Sequence, residues 1–328
     1  MNKIKCAIIG LGRIGSSLED DKLREKPASH TGAITSNPDC VLAGGCDIDQ
    51  TKREIFQKRW NCPLVSENPE ELFQKTLPDI LHIATPPETH FQIIEKALKF
   101  KIPVIICEKP LAENLKTAKK ITRLASKFDS IILVNHERRY SLDYIHAKKK
   151  IEACDFGILN SIQAKVYMGK NRIPRDVLWD DATHMFDILR FLTGRDFCRI
   201  KSFGYPDKKS SFISVHALLG EIPLFIEIAS NKDYLSFEME LNFSKGLIKI
   251  GNGIYEEYKS GKSPYYENFN SLSKTESPVF EKTNYFSGMM KDAVKVFQDK
   301  KKKPVSSVYD AFKTIEVMTE ILKKNRNF

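Results

Sequence analysis

The sequence predicts an α/β chain in two parts. A doubly wound parallel sheet comes first, followed by an α+β domain built on an open, mostly antiparallel sheet. Three observations carry this. Up to about residue 140, short apolar runs alternate with amphipathic helical patterns, as βαβ units do. Beyond about residue 150, strand-like runs follow one another, separated by Gly, Pro, Asn and Asp. The first apolar run ends in a glycine-rich turn, "AIIGLGRIG", with G-x-G-x-x-G at Gly10, Gly12 and Gly15. A length of 328 residues suits about two domains. We divide them at 1–137 and 138–328, with the last helix, 306–323, able to pack back on the first.

The predicted strands of the first part are 5–11, 40–48, 63–66, 79–85, 103–108 and 130–135. They are β-branched and apolar on both faces, as strands covered on two sides must be. Between them, "LAENLKTAKKITRLASKF" sets Leu111, Leu115, Ala118, Ile121, Leu124 and Phe128 at spacings of three and four, and "ETHFQIIEKALKF" does likewise. In the second part the helix pattern "DDATHMFDILRFLTG" precedes strand-like runs at 197–205, 211–218, 223–230, 235–243 and 246–258. "LSFEMELNF" alternates apolar and polar residues, the mark of an antiparallel sheet with one face differently covered. The stretch 259–278 reads as a long mobile loop, and two helices close the chain.

Bulk composition excludes some classes. No apolar run approaches the roughly 18–20 residues of a membrane span, and the N-terminal run is too short for a secretory signal. A cytoplasmic protein with no membrane partner is expected. Seven cysteines form no CxxC pair and several lie in apolar runs, so reduced core thiols are expected and no metal site. The net charge of +10 comes without a recognition-helix, zinc-finger or stacking-aromatic pattern. Nucleic acid is not the expected partner; an anionic small molecule is a better use of the charge.

The glycine turn permits backbone N–H groups to approach a pyrophosphate at a helix N-terminus. Asp47, ending the second strand, can accept bonds from adenosine ribose hydroxyls and disfavour a 2′-phosphate, so NAD is favoured over NADP. Alternatively Asp47 caps the next helix, a task Asp49 is also placed to do. Gly15 and Asp47 stand 32 positions apart against about 20 in the simple fingerprint. The surplus, 16–30, is polar, with a possible N-cap at Ser29. It either borders the site as a lid or is a solvated excursion. The remaining cofactor candidates are Arg13, Ile14, Ile48, Thr85, Pro86 and His90; His90 can instead be a locally packed helix-start residue.

"VIICEKP" ends a buried strand on Glu108, Lys109 and Pro110. A lysine at the carboxyl end of a fifth strand lies beside the expected cofactor crevice, where burial brings an amine toward useful acid–base chemistry. Glu108 can hold a ribose or orient the lysine; a helix-capping charge pair is the plainer alternative. Asp180 and His184, at i and i+4 on the expected helix, share one face, and suit removal of an alcohol proton as hydride leaves the same carbon. Asp187 can orient the imidazole.

Together the glycine turn, "CDID" (46–49), "TPPETH", "EKPLAEN", "NHERRY" (135–140), Asp180-x-x-x-His184-x-x-Asp187 and "FSKGLIKI" (243–250) resemble the Gfo/Idh/MocA family of nicotinamide-dependent oxidoreductases, in order and over nearly the whole chain. The resemblance implies a Rossmann domain, a second domain whose sheet makes a homo-oligomer interface (dimer or tetramer), and tightly held NAD(H) or NADP(H). It implies a sugar, cyclitol or nucleotide-sugar substrate oxidised at a secondary alcohol. Lys109, Asp180 and His184 fall at the family's catalytic positions, and Asn135 and Arg138 on the substrate side. The chain departs from the family where "PRDVLWDDATH" replaces a glycine-rich run. Arg172 and Arg175 there, with Lys170, can meet a substrate anion or belong to a solvated loop. Two other functions stand beside dehydrogenation: a glycosidase that oxidises and re-reduces its sugar through retained NAD, and a non-catalytic sensor.

Overall fold

A computed structural model describes residues 3–326, and only the backbone of Arg326. The chain forms two compact units, Met1–Tyr140 with Asn284–Ile315, and Ser141–Thr283 with Glu316–Phe328.

The first unit begins β1 (Ile4–Ile9), α1 (His30–Ser36), β2 (Cys40–Cys46), α2 (Gln50–Trp60), β3 (Val65–Ser66), α3 (Pro69–Thr76). It continues β4 (Ile80–Ile83), α4 (Pro87–Lys99), β5 (Val104–Cys107), α5 (Leu115–Ala125) and β6 (Ile131–Val134). All six expected strands are present in one parallel sheet, ordered β3-β2-β1-β4-β5-β6. Strand order reverses direction beside β1, and such a switch point opens a crevice at the carboxyl ends of the strands. The helix starts follow local chemistry. Ser29, Asp49, Asn68 and Asn114 each accept a backbone N–H of the first turn of α1, α2, α3 and α5. Asp49 is thus the α2 cap, which leaves Asp47 to other partners.

The 16–30 segment is spliced into a helix. Ser16 N–H donates to Gly12 O, closing one turn after the glycine motif. The carbonyls of Ile14 and Gly15 then receive the N–H groups of His30 (3.1 Å) and Thr31 (3.0 Å). His30 therefore stands where residue 18 would in an unbroken helix, and 12 residues are looped out. The separation of 32 less these 12 leaves 20, the fingerprint spacing. The loop is tied down: Glu19 accepts from Ala28 N and Ser29 Oγ, Asp20 takes the Arg59 fork, and Glu25 accepts Asn284 N at 3.1 Å. Its tip is open, with Leu23 98 % exposed.

The second unit contains α6 (Leu142–Glu152), β7 (Leu159–Met168), α7 (Pro174–Asp180) and α8 (Ala182–Thr193). It then has β8 (Phe197–Gly204), β9 (Phe212–Leu219), β10 (Ile222–Ala229), β11 (Leu235–Phe243), β12 (Gly246–Gly251), β13 (Ile254–Lys262) and β14 (Asn270–Lys274). After α9 (Tyr285–Gln298) and α10 (Val308–Lys324) comes β15 (Asn325–Arg326). Among the described residues the sheet order is β14-β13-β12-β11-β7-β10-β9-β8-β15, antiparallel except at β7–β10 and β8–β15. The run expected at 246–258 is two strands joined by a turn at Asn252–Gly253, and the expected mobile loop 259–278 holds the β13–β14 hairpin. β7, absent from the expected strands, lies at the middle of the sheet.

Returning to the first unit, α9 packs on α1 and β5. Phe286, Met289, Met290 and Ala293 join Ile8, Ile80, Val104 and Ile106 in one core layer. Burying each such side chain stabilises by roughly 1.5–3 kcal/mol, so α9 is integral to this unit.

Candidate active site

The crevice begins at the glycines. Gly10 has φ +94°, and a Cβ there would meet Ala84 O at 2.4 Å. A Cβ on Gly15 would meet Gly10 O at 2.1 Å. Both are therefore fixed as glycine by close backbone packing. Gly12 differs: a Cβ there meets no atom within 4 Å, so its backbone faces open space fit for a pyrophosphate. Arg13 is exposed and Ile14 half-buried on the same turn. Asp47 Oδ2 accepts Leu11 N at 2.9 Å and its Oδ1 accepts Asp49 N at 3.0 Å, which aims the carboxylate at the crevice rim. Beside it Ile48 is 90 % exposed. Thr85 and Pro86 line the β4 exit, half-buried and exposed respectively. These groups fit a dinucleotide.

Behind this rim the polar residues are locked. Glu108 is buried, and its Oε1 lies 2.7 Å from His30 Nε2 and accepts Asn135 Nδ2 at 2.6 Å. Oε2 accepts the Lys109 backbone N–H at 3.3 Å. His30 Nδ1 in turn lies 2.9 Å from His82 Nδ1. Burial alone raises the Glu108 carboxyl, but His30, Asn135 and Lys109 bring it below its usual value. Burial, and then His30, push His82 well below the ordinary imidazole value. Glu137 goes the other way, raised by burial and by Glu108. Lys109 is half-buried at the strand exit.

Three expected contact residues lie in the interior. Glu108 and Asn135 bond each other, and they are 6 % and 1 % exposed. His90 is fully buried, with Nε2 2.9 Å from Thr85 O and Nδ1 3.2 Å from Leu111 O. It pins the Thr85 loop to the loop after Lys109 and works on the crevice from behind. Burial lowers its pKa despite the two carbonyls. Arg138 is half-buried over the Tyr285 ring, 6.0 Å from its centroid.

In the second unit, Asp180 ends α7 and His184 lies in the first turn of α8. The helix breaks at Asp181, so the single continuous helix expected for the pair is not present. Arg172 donates to Asp181 at 2.6 Å and to Asp180 at 2.8 Å. Consecutive helix side chains diverge, and one guanidinium grips two of them more easily at a junction. Asp180 is exposed, whereas His184 and Asp187 are buried. Arg175 forks onto Asp207 at 2.5 and 2.8 Å. Both arginines expected to meet a substrate anion are thus engaged by carboxylates of the chain itself.

His30 and His82 were not among the candidates. Their one sequence signal is a histidine inside an otherwise apolar strand, "DILHIAT".

Residues 4–136 match the family model described as "Oxidoreductase family, NAD-binding Rossmann fold", the Gfo/Idh/MocA model. This part of the chain is similar to the NAD-binding Rossmann domain of that oxidoreductase family. The chain is 25 % identical over 264 residues to inositol 2-dehydrogenase of Corynebacterium glutamicum, covering 76 % of this chain and 74 % of that one. It is 26 % identical over 211 residues to scyllo-inositol 2-dehydrogenase (NAD(+)) of Bacillus subtilis, covering 62 % and 58 %. In fold it is similar to a putative NADPH-dependent oxidoreductase of Desulfitobacterium hafniense, with TM-score 0.82 and 18 % identity over 99 % of this chain and 96 % of that one.

Proposed function

We propose that the protein is a cytoplasmic NAD-dependent dehydrogenase that oxidises a ring secondary alcohol of a cyclitol or sugar, or reduces the matching ketone. The observation that carries this is the crevice itself: open space over Gly12, the Asp47 carboxylate at the rim, and Lys109 at the β5 exit next to an ionised Glu108. NAD is preferred to NADP because a carboxylate at the adenosine end repels a 2′-phosphate. The cyclitol class is supported by the two relatives named for inositol oxidation.

The nicotinamide supplies hydride acceptance when bound. The chain holds and moves the proton. Lys109 Nζ exchanges the alcohol proton, beside the Glu108 carboxylate that Lys109 itself helps to keep ionised. In the second unit we assign His184 as a further proton acceptor and Asp180 as its carboxylate neighbour in sequence, held through Arg172. With Arg172 and Arg175 neutralised, an uncharged polyol is the better substrate class than a phosphorylated one. The sheet of the second unit is proposed to carry a homo-oligomer, which light scattering on the purified chain measures.

The test is titration with NAD and NADP, then a screen of inositols, sugar acids and nucleotide sugars for net NADH formation. NAD binding tighter than NADP, weakened at least about tenfold in Gly12→Val, is expected. Absence of net NADH with every alcohol, with NAD bound, would leave the retained-cofactor glycosidase or the sensor instead.

A further inference from the structure

The buried chain His82–His30–Glu108 contains more protons than the crevice chemistry requires, and its distances determine where they sit. Glu108 Oε1 already accepts Asn135 Nδ2 at 2.6 Å, so His30 Nε2, 2.7 Å away, is a donor. A neutral His30 then has a bare Nδ1. The nitrogen 2.9 Å from it, His82 Nδ1, must carry hydrogen. That leaves His82 Nε2 bare, and this atom is buried with no hydrogen-bond partner. A charged His30 would reverse the second bond and leave an orphaned N–H on His82, the rarer and costlier arrangement. Both rings are fully buried, and Phe286 stacks edge-on to His30 at 5.5 Å, so no charge from α9 meets them.

We propose that His30 and His82 are positioning residues of the reaction: His82 locks His30 in the tautomer that always donates to Glu108, and this keeps Glu108 an anion beside Lys109. Without His82, the other tautomer of His30 becomes available, and its bare nitrogen can accept from a protonated Glu108. Glu108 would then be a carboxyl group losing a donor in a dry site, and it would take up a proton from solvent at higher pH. The other titratable groups that act on Glu108 are Lys109 after β5 and Glu137 after β6, with His90 from α4 and Arg138 next to Glu137. Lys109 supports the anion and Glu137 opposes it. The inference rests on the proposed role of Lys109 for its catalytic consequence, but not for the tautomers.

Nitrogen-15 NMR of the histidine-labelled full chain at pH 7 reads the tautomers directly, without turnover. His82 as the Nδ1–H form and His30 as the Nε2–H form, both neutral, are expected. His82 in the Nε2–H form, or either ring charged, overturns the proposal. The second arm is the pH profile of kcat/KM for NADH formation. His82→Leu and His30→Leu should move the acid limb up by about one pH unit. His30→Gln, which presents an amide donor to Glu108 and a carbonyl to His82, should restore the wild-type limb. A purely packing role would depress rate without moving the limb, or move all three variants alike, and either result contradicts the proposal. If the wild-type chain oxidises no alcohol, the proposed function fails while the NMR arm still decides the tautomers.

Discussion

Glu108 and Asp180 carry the same charge at the two ends of the proposed chemistry, and the structure treats them oppositely. Glu108 is 6 % exposed and receives bonds from an imidazole, an amide and a backbone N–H. The Asp180 side chain is 58 % exposed and accepts from the Arg172 guanidinium at 2.8 Å. A charge taken out of water depends on every partner it keeps, so Glu108 is held in one place and one ionisation state. A charge left in water gains little from its ion pair and stays adjustable. The first unit thus buries its carboxylate among fixed donors, whereas the second keeps one largely in water.

Removing each carboxylate sharpens that contrast. Glu108→Ala strands the His30 and Asn135 donors in the interior and should cost about 3–5 kcal/mol in urea unfolding. Asp310 is the intermediate case. Burial raises its carboxyl, but Arg139, 3.3 Å away, and Ser307 bring it down to about 2. Because the folded value is the lower one, the stabilisation is present above about pH 4 and is lost as pH falls toward 2. From the size of the shift it is on the order of 2 kcal/mol, and it should vanish from the acid limb of stability in Arg139→Leu. Asp180→Ala should change stability by less than about 1 kcal/mol. Equal losses for Glu108→Ala and Asp180→Ala would break the comparison.

The parallel sheet was legible because its strands are buried on both faces, which leaves uninterrupted apolar runs such as "PVIIC". The glycine turn and Asp47 were legible for a related reason: backbone packing at Gly10 and Gly15 dictates residue type. The splice after Ile14 was not, because a looped-out segment looks the same in sequence as a longer connection. α9 could not be assigned to its sheet, since an amphipathic helix carries no record of which face it covers. β7 escaped because its buried positions are irregular along "LNSIQAKVYM" rather than alternating. His82 was hidden by the apolar run around it. A side chain whose partners come from distant strands has no local pattern to announce it.

The central claim is that Lys109, next to the anchored Glu108, moves the proton of an alcohol oxidised by NAD. Comparing Lys109→Ala with the wild-type chain tests it most directly, through stopped-flow NADH formation on the best cyclitol or sugar and NAD titration on the same samples. A fall in turnover of about 10²–10⁴-fold with NAD affinity within a few-fold of wild type is the predicted result. Unchanged turnover, or a loss fully accounted for by weaker NAD binding, would contradict it.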